Sequence, residues 1–192
     1  MKNKFFILIT LILAVGLLAS CQTAGTLEPS TQPSVEQAEP AEVETDADAD
    51  TGFGSAGAFE DEDAGIAQML VYAIQDEYVA RAEYEYLIEE LNAGAPFTNI
   101  IKAEETHIAM LVPLFETYGL TVPEDTSAEH LIPAVSITEA LETGVLAEIN
   151  NIAMYEQFLE QDLPDDIRDA FTALRDASVN HLDAFQRKLD RN

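Results

Sequence analysis

Five side chains could do chemistry together: Glu77, Glu104, His107, Glu148 and His181. Each falls on a run whose other members are apolar at the 3.6-residue spacing of a buried helix face. Around Glu104 and His107 that face is Ile100, Ile101, Ile108, Leu111, Leu114 and Phe115. Glu104 and His107 are three residues apart in "EETH", so one helix face carries both. A carboxylate rarely occupies a core face unless it is paired or holds a metal. Three carboxylates and two imidazoles converging in a dry core must hold something positive, or the carboxylates must be protonated or repel. Oxygen and imidazole donors together suit iron, with manganese or zinc as alternatives, and the lack of thiolates disfavours a soft metal. Plainer readings exist for each residue alone. Glu77 could be an exposed i+4 partner of Arg81, and either histidine could be a satisfied core residue. Their recurrence at matching depths beside carboxylates favours a ligand set.

Four long helices must position these groups. The spacing predicts the first from about Ala64 to Leu91, with Ile66, Leu70, Ala73, Ile74, Ala80, Tyr84 and Leu87 sharing the face of Glu77. The second is expected from about Pro96 to Tyr118, stopped by Gly119 as a C-terminal cap. The third begins near Ser136, where "SITE" reads as a capping box, and runs to about Gln161. The fourth starts at Pro164, a residue suited to a first turn, and its stripe ends at Leu189. Short "NAGA" and "DL" links join the first to the second and the third to the fourth. The long "LTVPEDTSAEHLIPAV" separates the second from the third. No segment sustains the period-two alternation of a strand. The expectation is an all-α fold: two antiparallel hairpins joined by one long crossover, the ferritin-like variant of the four-helix bundle.

Residues around the five have secondary roles. Tyr84 and Tyr155 lie on the inner stripes about two turns from Glu77 and Glu148. Each could hydrogen-bond a ligand or carry an electron hole, and aromatic packing is the plainer reading. Met69, Met110 and Met154 read as core filling. Glu105 is expected to face solvent and His130 to lie in the crossover loop. Pro113 should kink the second helix while sparing the Glu104–His107 turn, because the bond it removes is to the Ala109 carbonyl.

Before the helices comes a different kind of sequence. "MKNK" followed by "FFILITLILAVGLLA" has the basic and apolar regions of a secretory leader, and "LASC" resembles a bacterial lipobox. The expectation is a leader over residues 1–20 and diacylation of Cys21, the chain's one cysteine, which anchors the protein outside the cytoplasm on the bacterial cell membrane, with an outer membrane as the alternative. The alternative is an ordinary signal peptide with an incidental cysteine. From residue 21 to 64 the acidic, Pro- and Ala-rich sequence reads as a disordered tether with a folded domain following at 65–192. The formal net charge of −27 argues against nucleic acid and against a domain lying flat on anionic lipid.

The order Glu, Glu-x-x-His, Glu, His resembles the ferritin-like di-iron carboxylate proteins. "DEYVARAEYEYL" is similar to the first helix of rubrerythrins, and "GVLAEINNIAMYE" with "SVNHLDAF" resembles the ferritin-like domain of unknown function 2202 family. That resemblance covers roughly Ile66 to Leu189. It implies metal in the bundle core and chemistry with oxygen or peroxide. The chain departs from the pattern at Ser178, three before His181, where a complete di-iron site has a second Glu. The closer family often carries acidic residues where this chain has Asn151 and Val179. Asn151 could be a weak oxygen ligand, and the site could be mononuclear, dinuclear or lopsided. With no Cys-x-x-Cys module, a redox cycle needs an external electron donor. The alternative is a non-catalytic protein that holds metal or docks a partner at the surface. Nothing in the pattern indicates an oligomeric state.

Overall fold

The computed structural model describes residues 52–191. The leader, Cys21 and the tether up to residue 51 lie outside the described residues. Within them the chain forms α1 (Gly54–Glu60), α2 (Ile66–Leu91), α3 (Phe97–Thr117), α4 (Ile137–Leu159) and α5 (Asp165–Leu189), and no strand. The four long helices begin and end within two residues of their expected bounds.

Local chemistry explains those ends. Asn92 turns left-handed at φ 51°, and Ala93 donates its N–H back to the Leu87 carbonyl. Gly119, at φ 66°, closes α3, and Leu120 donates to the Phe115 carbonyl over 2.8 Å. The Ser136 hydroxyl accepts from the Glu139 N–H, while the Glu139 carboxylate accepts from the Val135 N–H. This is the reciprocal cap expected of "SITE", with the return bond landing one residue early. Asp165 and Asp166 start α5 and Arg187 and Lys188 finish it, each matched to the helix dipole. Helix α3 continues through Pro113 to Thr117.

The core forms two apolar clusters. One contains Met69, Tyr72, Leu111, Phe115, Tyr155, Phe158, Phe171 and Leu174. The other contains Tyr84, Leu87, Phe97, Ile100, Leu141 and Phe185. Chain order through these clusters sets the directions. Helices α2 and α5 run from the first to the second, while α3 and α4 run from the second to the first. Since α3 and α4 point the same way, the link between them must return the full length of a helix, ~30 Å for 21 residues. Residues 118–136 do so, with a 3-10 turn at Ser127–Glu129. Arg81 fastens this crossover to α2 through Asp125 at 2.5 Å, with its guanidinium also over the Tyr78 ring. Asp125 in turn accepts from the backbone and hydroxyl of Ser127. Although burial acts against it, these bonds and the Arg81 charge hold its carboxyl below the usual range.

Two expectations are corrected. The tether does not extend to Ala64, because Gly54–Glu60 is helix α1, packed on α2 and α4. Residues 51–59, "TGFGSAGAF", interrupt the acidic run with nine uncharged residues, mostly small. Smallness lets α1 come close: a Cβ added at Gly57 would lie 2.6 Å from the Tyr72 ring. Met110 is not core filling but partly exposed, since it sits one position off the stripe that buries Leu111.

Gly144 is where α4 admits the Phe185 ring, which an added Cβ would meet at 3.1 Å. Gly144→Leu should overpack this end and lower unfolding free energy by about 1–3 kcal/mol, measured by urea denaturation.

Candidate metal centre

Between the two apolar clusters lies a polar layer. Glu77 on α2, Glu104 and His107 on α3, Glu148 on α4 and His181 on α5 are all buried there. Each stands one helical face position from apolar neighbours, so the packing that buries those neighbours carries the charged groups inward. The structure thus brings together the five residues that the sequence singled out. Arg81 is committed to Asp125 rather than to Glu77. Glu105 is exposed.

Glu104 is the hinge of the arrangement. Its Oε2 lies 2.8 Å from His107 Nδ1, and that nitrogen is also 2.9 Å from Glu77 Oε2. Its Oε1 lies 3.3 Å from His181 Nδ1, which is equally 3.3 Å from Glu148 Oε1. The two imidazole rings are 5.7 Å apart. One carboxylate therefore faces two carboxylate–imidazole pairs, one with each oxygen. Glu77, Glu104 and His107 form one group whose ligand atoms lie within 4.8 Å of one another, and Glu104, Glu148 and His181 form a second. Both groups could hold a metal ion. Their oxygen and imidazole donors fit a divalent first-row metal by chemistry as well as by spacing.

Two tyrosines hold the outer carboxylates, and they do so crosswise. Tyr155 on α4 donates to Glu77 Oε1 on α2 at 2.8 Å, and Tyr84 on α2 donates to Glu148 Oε1 on α4 at 3.3 Å. Burial and then the nearby carboxylates push both phenols well above 10, so they remain donors. The rings also pack, Tyr155 against Phe158 and Phe171, and Tyr84 against Phe97 and Phe185. Sequence periodicity identified both tyrosines as inward-facing but could not pair them with the opposite helix.

The remaining candidates do not join the cluster directly. The Ser178 hydroxyl is buried and donates to the Leu174 carbonyl of its own helix. Asn151 donates its amide to Asp76 Oδ2 at 2.6 Å, leaving its Oδ1 buried without a protein partner. Asp76 is the residue sequence reasoning missed. It lies beside Glu77, and it also accepts from the Ser55 N–H at the start of α1. Burial, opposed by that N–H and assisted by the charge on Glu77, pushes its carboxyl to about 7. Nothing in the helical pattern flags it, because it falls one residue off the buried stripe.

A cavity of about 400 Å³ opens between α2 and α4 and reaches Glu104, Glu148 and Ser178. Its outer part passes Phe53, stacked at 3.8 Å on His130 of the crossover. The site is therefore buried among helices and yet reachable.

These features define a domain that is all-helical among the described residues and whose core could hold a metal through buried Glu and His groups. The family described as Uncharacterized protein domain (DUF2202) matches residues 66–192, and the chain belongs to that family. Among solved structures, the crystal structure of hypothetical protein MJ0754 from Methanococcus jannaschii DSM 2661 is similar. Its TM-score is 0.59 at 24% identity, over 65% of this chain and 79% of that one. At such identity the likeness speaks to the fold alone. No curated protein matches the chain.

A proton occupies the centre when no metal does. Burial would lower His107, but hydrogen bonds to Glu104 and Glu77 and their charges carry it up to about 10 from 6.5. Burial and the charge on Glu77 raise Glu104 well above the usual carboxylate range. Burial also acts on Glu77, yet the bond and charge of His107 leave it net lowered. At neutral pH the metal-free site thus holds a proton on His107. A metal needs that imidazole deprotonated, so cation binding must release a proton and weaken as pH falls. Calorimetric zinc titrations in buffers of different ionisation enthalpy should show net proton release at pH 7 and falling affinity toward pH 5.

Proposed function

We propose that the chain is a ferritin-like, membrane-anchored lipoprotein that binds iron in its bundle core and reacts it with oxygen or peroxide outside the cytoplasm. The observation that carries this reading is Glu104, with one oxygen toward Glu77 and His107 and the other toward Glu148 and His181. A single carboxylate facing two such pairs could be shared between two metal ions, as the Glu of a Glu-x-x-His turn in a dinuclear carboxylate centre is. Two antiparallel helix pairs, with α3 and α4 running the same way and joined by a long return, support the ferritin-like topology. Iron would supply one-electron redox chemistry.

The chain's own residues would do the rest. Glu77, Glu104 and Glu148 would offset the cationic charge, and His107 and His181 would supply nitrogen donors. Tyr84 and Tyr155 would keep Glu148 and Glu77 in place by their crossed hydrogen bonds. The cavity beside α4 would let small molecules reach Glu104 and Glu148. Electrons would come from an external donor, because the sequence has one cysteine and no paired-cysteine module. Lipidation at Cys21 would place this chemistry at a bacterial membrane surface.

Ser178 favours a second reading. Its hydroxyl is turned to the Leu174 carbonyl at the position where a second bridging carboxylate would stand. The centre could then hold one metal in a lopsided, non-catalytic way.

Metal content separates these readings. After anaerobic loading of the purified protein with ferrous iron and desalting, about two irons per chain are expected, both lost together in Glu104→Ala. About one iron would favour the lopsided site. No iron in a fully helical protein would overturn the iron reading.

A further inference from the structure

The cavity between α2 and α4 is built for something larger than a metal ion. At about 400 Å³ it falls within the range of small-molecule pockets. A cation with six waters, at ~30 Å³ each, would fill roughly half of it. Its walls divide by character. Asp76, Glu83, Glu104 and Glu148 supply carboxylates, and no Lys or Arg among the described residues lines it. Val79, Ala80, Ala147, Leu146 and Ile132 supply apolar surface. Leu146 and Ile132 are 63% and 75% exposed, so the apolar part is at the mouth and the buried Glu104 and Glu148 are at the floor. Four carboxylates disfavour an anion, and a neutral apolar molecule would strip water from them without compensation.

The geometry points to a binding site for a small organic cation, an alkylammonium class ligand whose charged head sits among Asp76, Glu83 and Glu148 and whose apolar body lies against Val79, Leu146 and Ile132. This goes beyond the iron reading and does not require it, since the cavity and its carboxylates are properties of the chain. Ala147 is the small residue on α4 between the apolar mouth and Glu148, and a larger side chain there fills the space the ligand needs.

The test is a titration of the full chain with n-butylammonium, followed by the methyl NMR signals of Ile, Leu and Val, with 1-butanol as neutral counterpart. The ammonium should shift Ile132, Leu146 and Val79 saturably and bind roughly tenfold more tightly than the alcohol. Glu83→Gln should weaken it several-fold, and Ala147→Phe should abolish it with helical circular dichroism intact. Equal affinity for both probes overturns the proposal. So do shifts confined to other methyls, or undiminished binding in a natively helical Ala147→Phe protein. Should that variant not fold, the wild-type methyl map still decides. Iron content is measured on the same samples, so amine binding without iron, or iron without amine binding, tells which inference fails.

Discussion

Burying three carboxylates at one level of a helical bundle is the constraint from which the rest of this structure follows. Taken alone, each ionised group would cost several kcal/mol to remove from water. The domain meets that cost by close pairing. Glu104 stands between the imidazoles of His107 and His181, and the outer glutamates each receive a tyrosine hydroxyl. Every long helix contributes at least one member, so the helices must hold a common register for any of the charges to be satisfied. Apolar packing alone would tolerate small sliding of one helix along another. A layer of paired charges does not, and here it fixes the register of all four.

The centre also has an internal near-symmetry. The α2–α3 pair supplies Glu77, Glu104 and His107, and the α4–α5 pair supplies Glu148 and His181. The tyrosines cross between α2 and α4 in equivalent ways, each backed by an aromatic cluster at its own end. The equivalence breaks at Ser178. The cavity reaches the centre on the side where that residue, Glu104 and Glu148 line it, so the small side chain coincides with the accessible side of the site.

What the sequence disclosed depended on contrast. A charge on an apolar helical stripe is conspicuous, and so Glu77, Glu104, His107, Glu148 and His181 could be singled out. The crossover was legible from link lengths, and the helix ends from Gly119, Ser136 and Pro164. Asp76 was not legible, because one position off the stripe a carboxylate looks like any solvated acid. Its surroundings come from Ser55 and Asn151, remote in sequence. Helix α1 was missed for a related reason. Seven residues rich in Gly and Ala carry no usable period, and what holds them is the surface of α2 and α4 rather than their own propensity.

Splitting the hydrophobic core into two clusters leaves the two ends of the domain joined through a polar layer. Apolar side chains above and below it pack among themselves, and between them the helices are held by paired charges alone. Whatever cation occupies that layer would act as a rivet, drawing ligands from all four long helices toward one point. The mechanical coherence of the two ends would then be set by the occupancy of the middle, and a rise or fall in available metal would register as a change in how rigidly the helices move together.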